Sequence, residues 1–240
     1  VRICLFTSIK HLLLALCMMV FGPAVLASDA RFTVIPVDPT TEDLQLFWGD
    51  EQGMPFRDFD ALSAWVQGQG KSLVFGMNAG MYHANAAPVG LLVMAGKQVA
   101  PLNLSNGFGN FFLKPNGVFL WSPSGPQVVD ATEYAKRAKD VRFATQSGPL
   151  LLKSGVIHPA FNANSSSRLI RNGVGVSGGK AIFVISEQPV NFHEFATYFR
   201  DVLKCKDALY LDGTVSILHS EKLKRSDHKY MVGPIAGVIR

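Results

Sequence analysis

Four stretches of this 240-residue chain place polar side chains among glycines where strands are expected to end: Asn78 to Tyr82, Gln146 to Pro149, Arg168 with Arg171 to Gly175, and Asp212-Gly213. Polar groups on loops held by a rigid sheet are where sites tend to be built. Glycine beside them permits tight turns and lets backbone N–H groups approach a ligand. The guanidinium fork of arginine matches phosphate or carboxylate oxygens, and a strand-end aspartate suits a general base or a nucleophile. Other chemistries find little footing. Serine-nucleophile elbows, Walker loops and dinucleotide-binding turns are not expected, and His193-Glu194 lacks the second histidine of a zinc-protease helix. No cysteine pair is placed to hold zinc. His83, His193 and His219 are read as solvent-facing or hydrogen-bonded rather than as ligands.

These loops need strands to carry them. Arg31 to Val37, Leu44 to Trp48, Ser72 to Met77, Gly90 to Met94, Gly117 to Trp121 and Gln127 to Val129 read as strands separated by Gly, Asn and Pro turns. Arg142 to Thr145, Leu150 to Leu152, Ala208 to Leu211, Val215 to Leu218 and Ile235 to Ile239 continue the series. Gly173 to Val176 and Ala181 to Ile185 predict a hairpin, because Gly178-Gly179 suits a two-residue primed turn. Asp58 is expected to cap a helix ending at Gly68 and Gly70, and Asp130 a short one through Ala138. Asn191 and Glu194 form a capping box for a helix through Leu203, with Phe192, Phe195, Ala196, Phe199, Val202 and Leu203 on its apolar face. Strands outnumber helices and do not alternate with them. The expected class is α+β: one domain of mixed, largely antiparallel β-sheets with a few covering helices.

The first 27 residues read as a targeting segment. Arg2 and Lys10 precede and flank the apolar run Leu12 to Val20, Pro23 breaks it, and Val25-Leu26-Ala27 offers small residues before Ser28. That layout predicts a secretory signal peptide over 1–27 and a domain over 28–240, periplasmic or secreted after cleavage and with no later membrane span. Of 23 basic residues Arg2 and Lys10 leave with the signal, so 21 remain against 18 acidic ones, a net charge of +3. So mild an excess gives no case for nucleic acid. Cys4 and Cys17 leave too; Cys205 alone cannot form an intrachain disulfide.

Six segments occur in order: NAGMY (78–82), PVGL (88–91), QSGPLL (146–151), SSRLIRNGVGV (166–176), VNFHEFATYF (190–199) and ALYLDG (208–213). Together they resemble the phosphodiester glycosidase domain, the family that includes the uncovering enzyme of lysosomal mannose-phosphate tagging. The resemblance covers roughly Leu73 to Arg240. It implies hydrolysis of an α-linked sugar, typically N-acetylglucosamine, from a phosphodiester. By motif position Arg171 matches the arginine of the family's Arg-Thr-x-x-Gly segment, with Asn172 in place of the threonine, and Glu194 matches the acidic residue of its helix. Asp212 matches the aspartate of an Asp-Gly-Gly-Gly-Ser stretch that here reads Asp212-Gly213-Thr214-Val215-Ser216.

The resemblance thus makes Asp212, Arg171 and Glu194 the expected catalytic residues. Asn78, Gly80, Tyr82, Gln146, Ser147, Gly148, Arg168 and Gly213 are the expected substrate-binding ones. A phosphate monoester leaves an anomeric carbon far more readily than an alkoxide, so the task shifts from acid assistance to neutralising phosphate and activating water. Arg171 and Arg168 suit the first role and Asp212 the second; Asn78, Gln146 and Ser147 suit sugar hydroxyls, and Tyr82 a pyranose face. No organic cofactor is required, and an assisting cation such as calcium has no ligand-spacing motif behind it. The expected partner is a sugar-phosphodiester glycan or small molecule, with no nucleic acid, no membrane after signal cleavage and no obligate protein. The lost glycines after Gly213 favour an alternative, a non-catalytic phosphoglycan-binding module of the envelope on the same scaffold.

Overall fold

The computed structural model of the chain describes residues 29–137 and 139–240. The expected signal peptide lies outside the described residues. Three sheets make up the domain, and every strand pairing in them is antiparallel. The first has six strands in the order Phe32–Val37, Lys180–Ser186, Asn172–Ser177, Asp207–Asp212, Leu150–Lys153, Val156–Ile157. The second orders Arg225–Ser226, Leu218–Ser220, Leu73–Asn78, Ile235–Ile239, Asp43–Phe47. The third orders Lys97–Ala100, Leu92–Met94, Phe143–Ser147, Gly117–Ser122, Gly125–Asp130. Short helices cover the outside, as expected for α+β. No helix among the described residues is long and apolar enough to cross a membrane.

Local chemistry explains most elements. Asp58 Oδ1 accepts from Ala61 N (2.7 Å) and starts the helix Phe59–Gly68, which buries Phe59, Leu62 and Val66. The expected hairpin forms with Ser177 opposite Lys180, and Gly178 and Gly179 both take the positive φ that its primed turn demands (57° and 76°). Gly173 to Gly179 also spells both Gly-x-Gly-x-x-Gly and Gly-x-Ser-x-Gly. Neither motif operates, because each needs a turn into a helix and here the chain turns back as a strand. Asn191 and Glu194 make the reciprocal capping box.

Elsewhere the structure corrects the expectation. The helix expected through Leu203 is α only over Phe192–Thr197 and continues as a π turn over Tyr198–Val202. The wider turn seats Tyr198 on Phe32 (centroids 4.0 Å) and Phe199 beside Gly175, where an added Cβ would lie 2.8 Å from its ring. Asp130 caps no helix: it ends a strand, accepts from Thr132 N (2.9 Å) and pairs with Lys153 (2.8 Å). The helix beyond it is Tyr134–Arg137, and Ala138 lies outside the described residues. The strand expected over Val215 to Leu218 begins only at Leu218, because the Asn78 side chain takes the Val215 carbonyl and the Ile217 amide out of any ladder.

The sheets enclose one apolar centre where an aromatic ring from each meets. Phe183 of the first sheet lies 5.1 Å from Phe75 of the second and 5.7 Å from Phe119 of the third, tilted or edge-on in both pairs. All three are buried, in a cluster that also holds Leu46, Met77, Trp121, Val174 and Leu209. Edge-to-face rings add to the burial that dominates such a core. Phe183→Ala should therefore cost about 3–5 kcal/mol, read as a lower denaturant midpoint. A loss below about 1 kcal/mol would show that the sheets do not depend on this junction.

Candidate active site

Strand ends from all three sheets converge beside that junction. Asn78 closes Leu73–Asn78, Ser147 closes Phe143–Ser147, and Asn172 opens its strand directly opposite Asp212, the last residue of Asp207–Asp212. Asn172 ties them together. Its Nδ2 donates to the backbone oxygen of Asn78 (2.8 Å) and to Asn78 Oδ1 (2.9 Å), while its Oδ1 accepts from Asp212 N (2.8 Å). Asn78 in turn donates through Nδ2 to Val215 O and accepts from Ile217 N (3.0 Å). Ser216 Oγ donates to Asp212 O (3.1 Å), and Ser147 Oγ to Leu211 O (2.9 Å). Asn78, Ser147 and Asn172 are fully buried. The loop after Asp212 is therefore fixed by amides from two other strands.

Asp212 is half-buried at a cavity of about 490 Å³ that Tyr82, Asn110, Phe112 and Thr214 also line. Burial raises its carboxyl to about 6, although the backbone N–H groups of Gly213, Thr214 and Val215 oppose that shift by favouring the ionised form. Gly213 N lies 2.6 Å from Oδ1. Tyr82 is pushed up to about 12 by burial and then by the charge of Asp212, and its hydroxyl donates to Met231 O (2.6 Å). A carboxyl that titrates near neutrality in a cleft is suited to proton transfer.

Arg171 is fully buried just behind this loop. Nε donates to Val190 O (2.8 Å), Nη1 to Tyr210 Oη (3.2 Å) and Nη2 to Ser167 O (3.0 Å), and the guanidinium lies 3.9 Å from the centre of the Phe192 ring. Burial lowers its pKa, with Tyr210 opposing. Gly213 packs close against it: a Cβ there would strike the Tyr210 hydroxyl and stand 3.4 Å from Arg171 Nη1. The guanidinium's hydrogen bonds run to the protein, and Arg171 does not line that cavity.

Other expected ligands are engaged within the protein. Gln146 accepts at Oε1 from Leu91 N (3.1 Å) and Asn103 N (2.9 Å) and donates from Nε2 to Asn103 O (2.7 Å), so it pins a loop to its strand. Gly80 (φ 125°) and Gly148 are required by packing, since a Cβ would lie 2.7 Å from Thr145 Oγ1 and 2.6 Å from Asn116 Cβ respectively. In this structure the side chains of Asn78, Gln146 and Ser147 hydrogen-bond to backbone groups of other segments. Arg168 and Glu194 pair with each other (2.8 Å) and line neither cavity beside the Asp212 loop. Burial opposes ionisation of Glu194, but Asn191 N and Arg168 outweigh it and lower its pKa. That carboxylate completes the capping box and pairs with Arg168. Sequence reasoning noted Asn172 only as a replacement for threonine and Thr214 only as a lost glycine, and it passed over Asn110, whose place in the cavity no local pattern signals. Among the described residues no three His, Cys, Asp or Glu side chains gather into a metal site.

Comparison with known proteins decides the family. Residues 71–221 match the phosphodiester glycosidase family model. The chain belongs to the phosphodiester glycosidase family. An Escherichia coli K12 relative, "Uncharacterized protein YigE", is 40% identical over 195 residues, spanning 80% of this chain and 76% of that one. The fold is similar to the catalytic domain of zebrafish N-acetylglucosamine-1-phosphodiester alpha-N-acetylglucosaminidase auto-inhibited by its pro-peptide: TM-score 0.59, 14% identity, 87% of this chain and 82% of that one. A hypothetical Synechocystis protein shares it at TM-score 0.53 and 15% identity, over 87% of this chain and 59% of that one.

In this phosphodiester glycosidase domain burial of the site carboxylate disfavours its ionised form. A carboxyl raised from 3.8 to about 6 is favoured neutral in the native state, so its contribution to stability is present below about pH 4 and lost as pH rises through about 6. Asp212→Asn should therefore be more stable than the wild type at pH 8, by up to about 3 kcal/mol. The advantage should vanish below about pH 4. Denaturant titrations at several pH values check this; an equal difference at all of them would contradict it.

Proposed function

We propose that the protein hydrolyses a sugar-1-phosphodiester, releasing free sugar, with the Asp212 carboxylate activating the attacking water. The observation that carries this reading is the cleft position of Asp212 with its carboxyl raised to about 6, beside loops from three sheets. In the reaction, a water oxygen bonds to the anomeric carbon, the bond from that carbon to the phosphate oxygen breaks, and the phosphate monoester departs as an anion. The water proton passes to Asp212. Arg171 would act at a distance: a buried guanidinium stays charged, and its field in a low-dielectric wall favours negative charge developing on the phosphate. Tyr82, which lines the same cavity, would bound the sugar. No organic cofactor enters this scheme, and the expected setting is the periplasm or the cell exterior.

Support for hydrolysis comes from family membership and from this carboxylate; N-acetylglucosamine as the sugar rests on the family alone. A binding-only module on the same scaffold draws on the burial of Arg171, which leaves no guanidinium in contact with the cavity. Product formation separates the two. Purified protein should release sugar from N-acetylglucosamine-1-phosphate diesters, with kcat/KM falling as pH drops below about 6 when Asp212 takes up its proton. Asp212→Asn should lower turnover by about 10²–10⁴-fold while the fold persists by circular dichroism. Undiminished turnover in that variant would remove Asp212 from the mechanism.

A further inference from the structure

The loop Gly213 to Ile217 has a cavity on each side, and basic side chains are divided unequally between them. The larger, of about 690 Å³, has Arg225 and Lys229 in its walls. The one that holds Asp212 is lined by neither lysine nor arginine. A phosphate bound beside Asp212 must therefore be held by other donors. Asp212 accepts, and the Tyr82 hydroxyl already donates to Met231 O (2.6 Å). His83 and Thr214 are exposed, so water competes for them. Asn110 is the polar lining residue left, and it is partly buried. It opens the tight turn Asn110–Phe112, in which Phe111 is buried and its carbonyl accepts from Asn116 Nδ2 (2.9 Å). Among the described residues its carboxamide engages no backbone group, whereas those of Asn78, Gln146 and Asn172 are all committed to backbone. What it stands beside is the buried hydroxyl of Tyr210. Burial pushes that phenol up, with Asp212 adding to the shift and Arg171 and Asn110 opposing it. Arg171 Nη1 donates to the same oxygen (3.2 Å), and only a glycine fits against it at position 213. Contacts thus run from the buried guanidinium through Tyr210 to Asn110 and the cavity.

We propose that Asn110 holds the substrate's phosphate by donating from Nδ2 to a non-bridging oxygen, and that Tyr210, itself held by Arg171, keeps this carboxamide turned to the cavity. A carboxamide carries two N–H donors, so one can face Tyr210 while the other faces the ligand. A neutral donor also suits the carboxylate next to it. An arginine in contact with Asp212 would favour its ionised form and lower its pKa, which would weaken it as a base near neutrality. Set behind the Tyr210 hydroxyl, the guanidinium contributes its field without that contact. A fixed donor aimed at charge on the departing group is the kind of contact that catalysis gains most from. That the ligand is a phosphodiester rests on the hydrolase reading; that Asn110 is the donor for an anion in this cavity does not.

The test uses Asp212→Asn protein, which binds without turning over, and isothermal titration with the methyl diester of N-acetylglucosamine 1-phosphate. The two diastereomers of its phosphorothioate, in which sulfur replaces one non-bridging oxygen, are titrated alongside. Adding Asn110→Ala should weaken the diester by about tenfold or more, the loss usual for a hydrogen bond to a charged group. Asn110→Asp, the same shape with a charge in place of the donor, should weaken it further. One phosphorothioate should bind about fivefold more weakly than the other, because sulfur accepts hydrogen bonds poorly, and Asn110→Ala should erase the difference. Tyr210→Phe should weaken the diester by about three- to fivefold alone and add nothing to Asn110→Ala, with thermal unfolding confirming the fold of each variant. An affinity untouched by Asn110→Ala, or a diastereomer preference that survives it, would overturn the phosphate contact. No loss with Tyr210→Phe, or losses that add, would remove Tyr210 as the positioning residue. The hydrolase reading fails separately: binding that depends on Asn110, with no sugar released by the wild type, loses the reaction and keeps the contact. Sugar release with one kcat/KM for the wild type and Asn110→Ala loses the contact and keeps the reaction.

Discussion

The Asn172 side chain does for this domain what a backbone ladder cannot. Three antiparallel sheets share a core but pair strands only within themselves, so something must join them where their strands end. A buried carboxamide has two donors and an acceptor that can serve different directions at once. Asn172 uses them on Asn78 of the second sheet and on the Asp212 amide in its own. Ser147 adds the third sheet through Leu211 O. In a desolvated setting each of these groups would be costly unpaired, so the set holds as a unit. Among the described residues no buried side-chain nitrogen or oxygen lacks a partner. The precision of the Asp212 loop follows from this completeness, since a loop of ordinary surface character would not hold a carboxylate half out of water.

What the sequence revealed and what it hid divide by the range of the interactions. The Gly178-Gly179 hairpin, the Asp58 cap and the Asn191–Glu194 box all act within a few residues, and all are present in the structure. The antiparallel α+β class followed from strands that outnumber helices without alternating. The six motif segments carried the family, and the family-model match over 71–221 bears it out. The gathering of the sheets around Phe75, Phe119 and Phe183 was not legible, because no residue near any one of them specifies the other two.

The site shows the same limit more sharply. Asn78, Gln146 and Ser147 were found as polar residues at strand ends, which they are, but their work is internal. Their partners lie far along the chain: Val215 is 137 residues from Asn78, Asn103 is 43 from Gln146, and Leu211 is 64 from Ser147. A polar side chain beside glycine reads the same whether it faces a ligand or a distant carbonyl. Arg171 illustrates the point, placed correctly next to the site yet turned toward Phe192 and Tyr210. Glu194 is the reverse case, where the short-range capping signal already described the contacts that its side chain makes.

The lost glycines after Gly213 can be weighed in the same terms. Glycine is needed either for a backbone angle that other residues resist or for space. Gly213 is needed for space, because a side chain there would collide with the Tyr210 hydroxyl that Arg171 holds. Thr214 and Val215 take no left-handed backbone angle. Their β-branched side chains therefore leave the loop unstrained, and what they change is volume. Thr214 is exposed and stands on the wall shared by both cavities. A β-branched residue at that point adds bulk to both walls and leaves the amide cluster and Asp212 in place. Its effect falls on the space available at that wall, and the loop beneath it keeps the hydrogen bonds that hold Asp212.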